Sequence, residues 1–175
     1  MLNYAQVIAI QKISSNFGHI NIITVMQVFI IGTPFETAKV LSERHLNNQI
    51  NEASIILDAL NGKKAWSRHP AVLQYKGHED WLMSYKECLE ACRNGKSWES
   101  PDGGFYDMRD ASRYCEVVRP PFHTQEYFDQ MKRRLYTKNP EHYKQWAHLG
   151  RSDENWYWSP TENKFIKYVN GKRIE

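Results

Sequence analysis

The 175-residue chain lacks most of the features that mark a disulfide-rich or membrane-spanning protein. Its three cysteines, Cys88, Cys92 and Cys115, are odd in number and include no CxxC pair, so they form neither a disulfide framework nor a paired zinc site. The longest apolar run, residues 20–31, falls short of the ~20 residues that a membrane helix needs, and polar side chains interrupt it. We therefore expect a cytoplasmic protein without a membrane anchor.

The chain also lacks GxGxxG, Walker, GxSxG and HExxH motifs, which argues against nucleotide-cofactor and serine-hydrolase chemistry, and we expect no cofactor. The chain lacks a large excess of either sign of charge, because its 23 basic residues are nearly balanced by 20 acidic ones and the net charge is +3. That balance is compatible with a polyanion partner but does not establish one. Aromatic residues are abundant at 13%, so many rings must be buried or stacked on a ligand.

Capping residues and apolar spacing predict a mainly α fold. The segment TPFE is a capping box that begins a short helix from about Pro34 to Arg44. A second helix follows with an apolar stripe that includes Leu46, Ile50 and Ala53, and it ends at Gly62. Further helices are predicted from Pro70, from Glu79 to Arg93, from Gln125 to Tyr136 and over the segment NPEHYKQW.

The remaining segments complete a single-domain picture. Residues 1–25 carry few charges and no clear period, so we treat them as an N-terminal extension, either an extra element or sequence upstream of an ancestral start at Met26. The β-branched run of residues 20–31 predicts a buried extended segment. Residues 96–121 predict an irregular loop, and the tail predicts a β-hairpin. Residues 26–175 should thus form one compact helical bundle with a small C-terminal β-hairpin, expected to be a monomer.

One edge of the second helix carries three polar groups beside its apolar stripe. His45, Gln49 and Glu52 follow each other at helical spacing. A carboxylate at such a border would be partly desolvated, which raises its pKa and suits it to acid or base catalysis. An ordinary polar flank of an amphipathic helix is the alternative, and spacing alone favours it.

Two further segments hold candidate binding residues. In WSRHPAVLQYKGH, His69 precedes Pro70, where it could cap the next helix instead of contacting a ligand. In KRRLYTKNPEHYKQW, interleaved cations and rings suit phosphate contact and base stacking, although a solvated helix face explains them equally well. From the two segments we select Trp66, Arg68, His69, Tyr75, His78, Lys132, Arg133, Lys138, His142 and Tyr143 as candidate contacts.

Taken in series, these segments resemble the pyrimidine-dimer DNA glycosylase family, the endonuclease V-like proteins of phages and bacteria. The resemblance runs from MQVFIIG, at Met26, to about Pro160, through VLSERHLNNQINEASIIL, AWSRHPAVLQYKGHEDWL, LYTKNPEHYKQW and WYW. It implies a compact helical fold that binds duplex DNA and removes a damaged base. It also implies that Glu52 is the catalytic carboxylate, with Gln49 at a matching place. His45 completes the catalytic set, and Arg44 and Asn48 join the DNA-binding residues.

Two departures from the family pattern affect what the resemblance implies. The well-studied branch uses its N-terminal α-amine as a nucleophile, whereas 25 residues precede Met26 in this chain. Either the nucleophile is displaced, or the enzyme is a monofunctional glycosylase in which Glu52 activates water. At His45, Asn48 and Ile50, moreover, relatives often carry Arg or Lys against phosphate.

Three hypotheses follow. The first is an N-glycosylase that acts on damaged, pyrimidine-dimer-like bases in duplex DNA, with AP lyase activity as an additional step. The second keeps the fold but not the catalysis, giving a nucleic-acid- or nucleotide-binding protein. The third is a metal-dependent nuclease built on His69, His78 and His142, but His69 and His78 share no helical or strand spacing, so we expect no metal.

Overall fold

Helices dominate the part of the chain that the structure describes. The computed structural model describes residues 26–94 and 118–174, together with the backbone of residues 98–99 and 105–106. The predicted extension, residues 1–25, and Cys115 lie outside the described residues. The helices are α1 (Pro34–Val40), α2 (Glu43–Leu60), α3 (Pro70–Leu73), α4 (Glu79–Arg93), α5 (Gln125–Lys138) and a 3₁₀ helix (Lys144–Leu149). The mainly α fold predicted from the sequence is confirmed.

Local capping explains where the first two helices begin and end. The side chain of Thr33 accepts a hydrogen bond from the backbone of Glu36, whose carboxylate bonds back to Thr33, so the predicted capping box is present. The hydroxyl of Ser42 accepts from the backbone N–H of His45 and thereby caps α2. Because Ser42 serves the second helix, α1 ends at Val40 instead of the predicted Arg44. Gly62 follows α2 in the left-handed region, with a φ of 98°.

The C-terminal sheet is slightly larger than predicted. Strands β1 (Asn155–Ser159) and β2 (Lys164–Val169) pair antiparallel as the expected hairpin, with Trp158 opposite Phe165. A two-residue strand, Lys172–Arg173, adds a third antiparallel strand beside β2. Within the predicted loop of residues 96–121, Trp98–Glu99 and Phe105–Tyr106 form a short antiparallel pair.

A buried extended segment runs through the middle of the helical core. Residues 26–30 are all buried, which confirms the prediction for the described part of the apolar run. Helix α2 packs its apolar face against α4, and α1 also packs on α4. The abundant aromatic rings supply much of this core; Tyr75, Tyr85, Phe122, Tyr127 and Tyr143 are among its largest fully buried side chains.

No helix among the described residues is both long enough and apolar enough to span a bilayer.

Candidate active site

Glu52 lies where α2 meets the buried extended segment. Its Oε2 atom accepts a hydrogen bond of 2.6 Å from the side-chain amide of Gln49, one turn earlier on the same helix. The backbone of Gln27 provides a second hydrogen bond to the carboxylate. Glu52 is partly buried, so the predicted border carboxylate is found at the edge of the core.

Gln49 is the residue that ties this carboxylate to the core. It is 1% exposed, and its side chain uses both of its polar atoms. The amide nitrogen also donates to the carbonyl of Gln27 at 3.0 Å, and the amide oxygen accepts from the backbone N–H of Phe29 at 2.6 Å. The hydroxyl of Tyr85 lies 2.7 Å from the Phe29 carbonyl and 3.1 Å from the Gln49 oxygen, and it shares its single proton between them. Gln49 therefore fixes the position of Glu52 and is itself shielded from solvent.

The surroundings of Glu52 favour its protonated form. Burial raises the pKa of its carboxyl group to about 7, against a smaller opposing effect from the Gln49 and Gln27 hydrogen bonds and the charge of Lys138. Near neutral pH the group is thus present in both protonation states. A carboxyl group with this property can either donate or accept a proton during a reaction.

One cation, Lys138, acts on the carboxyl group, and two arginines from α5 and α2 act in turn on Lys138. Lys138, at the end of α5, places its ammonium group 5.8 Å from the ring centroid of Phe29. Burial against its neighbours lowers the pKa of Lys138, the charges of Arg134 and Arg44 lower it further, and Glu52 opposes them. Arg134 is 7% exposed, and its Nη2 atom donates to Asn155 at 2.6 Å. An anionic ligand that reaches Glu52 would therefore meet positive charge beside it.

His45 belongs to a second hydrogen-bond network at the start of α2. Its Nδ1 atom lies 2.9 Å from the hydroxyl of Tyr143 and 3.0 Å from the hydroxyl of Ser42. The Tyr143 hydroxyl also accepts from the backbone N–H of Ser42 at 3.0 Å. Burial lowers the pKa of His45, as do the charges of Lys138, Arg44 and His142. His45 thus links α2 to the segment after α5, and no hydrogen bond joins it to Glu52.

A hollow of about 520 Å³ opens in the loop between α2 and α3. We call it the 64–69 hollow, because Lys64, Trp66, Ser67, Arg68 and His69 line it. Glu52 is not among its lining residues. Trp66 adopts a left-handed backbone conformation, with a φ of 69°, which is unfavourable for a side chain of this kind and is typical of functional sites.

Several of the predicted DNA contacts have structural roles in the fold. The Nδ1 atom of His69 accepts from the backbone N–H of Ala71, so the alternative role as a helix cap is confirmed. Tyr75 is fully buried and its hydroxyl lies 3.3 Å from His123, so its position gives no support to a DNA contact. Tyr143 is also fully buried, behind the His45 network. His78 precedes α4 and its ring packs edge-on against Phe122.

The other predicted contacts lie at or near the surface. Arg44, Asn48, Arg68 and His142 are exposed. Lys132 forms an ion pair of 3.0 Å with Asp129, one turn earlier on α5. The Nε2 atom of His142 lies 3.1 Å from the carbonyl of Val40. Arg133 is partly buried.

Sequence reasoning missed the partners that come from distant parts of the chain. Gln27 and Phe29 act through their backbone groups, which leave no signal in residue type. Arg134 was passed over in favour of its neighbours, and only its burial beside Asn155 distinguishes it. The four-residue spacing between Arg134 and Lys138 was the one available hint that both lie on the same helix face.

The histidines of the nuclease hypothesis do not assemble into a ligand set. In the described ranges, no three His, Cys, Asp or Glu side chains lie close enough together to hold a metal ion.

This arrangement defines a small, mainly α domain in which the charge of Lys138 acts on a partly buried carboxyl group. A family model described as pyrimidine dimer DNA glycosylase matches residues 26–95. This span contains Glu52, Gln49 and the 64–69 hollow, and it confirms the resemblance inferred from the sequence over those residues. The match ends well before Pro160, to which the sequence resemblance extends. No curated protein and no solved structure matches the chain significantly.

Proposed function

We propose that the protein is a DNA glycosylase for pyrimidine-dimer-type damage in duplex DNA, and that Glu52 is its catalytic carboxyl group. The observation that carries the proposal is the position of Glu52, held by Gln49 at the core edge, with Lys138 acting on its charge. The family match over residues 26–95 supports the choice of substrate. The positive charge of Lys138 favours approach of the phosphate backbone.

The base-removal step needs a nucleophile and proton transfer. In the monofunctional form of the reaction, the Glu52 carboxylate accepts a proton from water as the water oxygen bonds to C1′ of the sugar. The N-glycosidic bond breaks, its electrons pass to the base nitrogen, and that nitrogen takes up a proton. In a pyrimidine dimer the freed base stays attached to its neighbour through the dimer linkage, and an abasic sugar remains. The damaged nucleotide must be destacked before this attack, at a cost of a few kcal/mol that damage reduces.

The decisive test compares wild type with Glu52→Gln on UV-irradiated duplex DNA. Abasic sites are revealed by alkaline cleavage under single-turnover conditions. We expect Glu52→Gln to lower the rate of base release by about 100-fold or more, because a positioned acid–base group contributes 10²–10⁴-fold. Glu43→Gln, which removes an exposed carboxylate from the first turn of the same helix, is the matched control and should retain activity.

A result that defeats the enzyme proposal is equally clear. If wild type and Glu52→Gln are both inactive on every damaged duplex tried, catalysis is rejected. Retained, salt-sensitive DNA binding in that case would support the non-catalytic binding protein instead.

For strand cleavage by the full chain we propose Lys138 as the amine nucleophile. Lys138 lies over Phe29, which is hydrogen-bonded to Gln49, the residue that holds Glu52. Its lowered pKa increases the neutral fraction, which is the nucleophilic form.

In this lyase reaction the Lys138 amine bonds to C1′ as the base leaves, and ring opening gives an imine. Elimination then removes a proton from C2′ and breaks the C3′–O bond, so the downstream strand leaves with a 5′ phosphate. Borohydride reduces the imine to a stable amine, so it should trap a covalent complex between wild type and a duplex with an abasic site. Lys138→Arg should abolish trapping while keeping the charge, and Lys132→Arg should not.

Two outcomes would reject Lys138. Trapping that persists in Lys138→Arg would assign the imine to another amine. Base release without any trapped complex in wild type would show that water is the nucleophile.

A further inference from the structure

Helix α4 contributes a tyrosine to the surroundings of Glu52 that the proposed chemistry does not use. We propose that this residue, Tyr85, is a positioning residue for Glu52 and acts through Gln49, because its hydroxyl holds the amide that donates to the carboxyl group. The proposal rests on the proposed function for the reaction that Glu52 carries out. The contacts themselves do not depend on catalysis, so they can be tested without it.

Tyr85 contacts both the side chain and the backbone that hold Glu52. Its hydroxyl lies 3.1 Å from Oε1 of Gln49 and 2.7 Å from the carbonyl oxygen of Phe29. The backbone N–H of Phe29 donates to the same Oε1 atom at 2.6 Å. The hydroxyl therefore bridges α2 and the buried extended segment at the point where Gln49 joins them.

The two ends of the Gln49 amide face opposite kinds of hydrogen-bond partner. Its oxygen faces two donors, the Phe29 N–H and the Tyr85 hydroxyl. Its nitrogen faces two acceptors, the Gln27 carbonyl and the Glu52 carboxyl group. Because hydrogen bonds in a chain polarise one another, donation to Oε1 makes Nε2 a stronger donor. The Tyr85 hydroxyl should therefore strengthen the bond that Glu52 receives.

Packing fixes the ring of Tyr85, so its hydroxyl can position a more flexible partner. Tyr85 is fully buried, and its ring stacks on Trp81, with the ring centroids 5.6 Å apart and the ring planes 14° apart. The ring of Trp81 stacks in turn on Tyr75, with the centroids 6.0 Å apart. Glutamine has several rotatable side-chain bonds, so fixing its amide costs conformational entropy, which a hydrogen bond from a fixed tyrosine helps to offset.

The Tyr85 hydroxyl keeps its proton throughout the pH range in which Glu52 titrates. Burial raises the pKa of Tyr85 well above its ordinary value of 10.0, and the charge of Glu52 raises it further. The phenol is therefore a permanent donor while the carboxyl group gains or loses its own proton. The same electrostatic effect means that the charge state of Glu52 is felt at the Tyr85 hydroxyl.

Groups from other elements also act on Glu52, and they limit how much Tyr85 can change. The charge of Lys138 on α5 and the backbone of Gln27 both favour the ionised carboxylate. On β1, the charge of Glu52 raises the pKa of Tyr157. These contacts remain when Tyr85 loses its hydroxyl, so we expect a moderate shift in the titration of Glu52 and not a loss of the site.

The test follows the titration of Glu52 in DNA-free protein by NMR of isotope-labelled glutamate carboxyl carbons. The resonance of Glu52 is assigned by its absence in Glu52→Gln. Tyr85→Phe weakens the Gln49 hydrogen bond that lowers the pKa of Glu52, so the midpoint should move up from about 7. We expect the ratio of protonated to ionised Glu52 at neutral pH to increase about threefold, the scale of one neutral hydrogen bond.

Tyr127→Phe is the matched control. Tyr127 is also fully buried, and its hydroxyl donates to the carbonyl of Val28, in the same extended segment, at 3.3 Å. The substitution removes a hydroxyl bonded to that segment but leaves the contact between Tyr85 and Gln49 intact. The midpoint of Glu52 should therefore stay in place.

A second measurement needs no substitution at Tyr85. The NMR resonance of its buried hydroxyl proton should shift in wild type as Glu52 titrates, because the charge of Glu52 is felt at this hydroxyl. The resonance should stay constant over the same pH range in Glu52→Gln. In Gln49→Leu, moreover, the addition of Tyr85→Phe should cause no further shift of the Glu52 midpoint, because Tyr85 acts through Gln49.

The proposal is overturned if Tyr85→Phe leaves the Glu52 midpoint at its wild-type value, or if Tyr127→Phe moves it as far. If Tyr85→Phe folds poorly, a wild-type Tyr85 hydroxyl resonance that does not respond to Glu52 overturns it instead. Base release from UV-irradiated DNA is measured separately, and its pH profile should move with the midpoint. A shifted midpoint without base release would reject only the catalytic proposal, and base release with an unmoved midpoint would reject only the role of Tyr85.

Discussion

The side-chain amide of Gln49 donates to Glu52 at 2.6 Å and reaches the backbone of the buried segment with its remaining polar groups. One buried side chain therefore determines where the carboxyl group lies relative to residues 26–29. The helix spacing supplies the first contact, and the tertiary fold supplies the others. The stability and the pH response of the site should both depend on Gln49.

The raised pKa of Glu52 predicts how stability changes with pH. Because the carboxyl group has a pKa of about 7 in the folded chain and an ordinary value of 4.5, folding favours its protonated form. Stability from this group is complete below about pH 4.5 and is lost as the pH rises through 7. Glu52→Gln, which resembles the protonated form, should therefore raise the free energy of unfolding by about 1–3 kcal/mol near pH 8 and change it little near pH 4.5. Urea unfolding of both proteins at the two pH values measures this; an equal difference at both would contradict it.

Gln49→Leu should destabilise the fold and alter the titration of Glu52. The substitution leaves the buried N–H of Phe29 without its partner, which should cost about 2–3 kcal/mol in urea unfolding. It also removes a hydrogen bond that lowers the pKa of Glu52, so the pH dependence of base release should move to higher pH. Asn51→Leu, at an exposed position of the same helix, is the control. A pH profile that stays in place would show that Gln49 does not tune the carboxyl group.

Tyr143→Phe should reduce stability without reducing DNA affinity. Its hydroxyl joins the Ser42 backbone and His45, so its loss should lower the free energy of unfolding by about 1 kcal/mol. Tyr136→Phe is the matched control, because the Tyr136 hydroxyl forms no hydrogen bond with the described residues. Urea unfolding and DNA binding are measured on both variants. A selective loss of affinity in Tyr143→Phe would instead give Tyr143 a role in binding.

The salt dependence of DNA binding should distinguish unpaired from paired cations. Arg44 is exposed and makes no ion pair with the residues described, whereas Lys132 is already paired with Asp129. If Arg44 contacts a phosphate, Arg44→Gln should reduce the slope of log K against log salt by about 1. Lys132→Gln should reduce it less. Equal slopes in the two variants would contradict this assignment.

Much of the fold could be predicted because its signals are local. Helix α4 begins and ends at the predicted Glu79 and Arg93. Its apolar residues recur at helical spacing, acidic residues occupy its first turn, and Asn-Gly follows its last residue. The end of α1 was wrong by four residues, because Ser42 caps the following helix. The segment NPEHYKQW forms turns and a 3₁₀ helix from Lys144. The third strand has only two residues, too few for an alternating pattern to reveal it.

The contacts within helix α2 of the candidate site could be predicted from the sequence, but its contacts with the extended segment could not. Gln49 and Glu52 share one helix, so their spacing brings them together in any context. The contacts of Gln49 with Phe29 and Gln27 span 20 and 22 positions and depend on how the extended segment passes α2. Tyr75 was selected as a candidate contact but is fully buried. Residue type could not separate the two roles, because a tyrosine ring is common both in cores and on binding surfaces.

The left-handed backbone at position 66 makes a comprehensive substitution survey unusually informative. Expression yield should rank the replacements by how readily each adopts this backbone, with Gly and Asn at the top. Selection for robustness alone would then drive this position away from tryptophan. A lineage that keeps the indole would be showing that a requirement other than folding has governed its history.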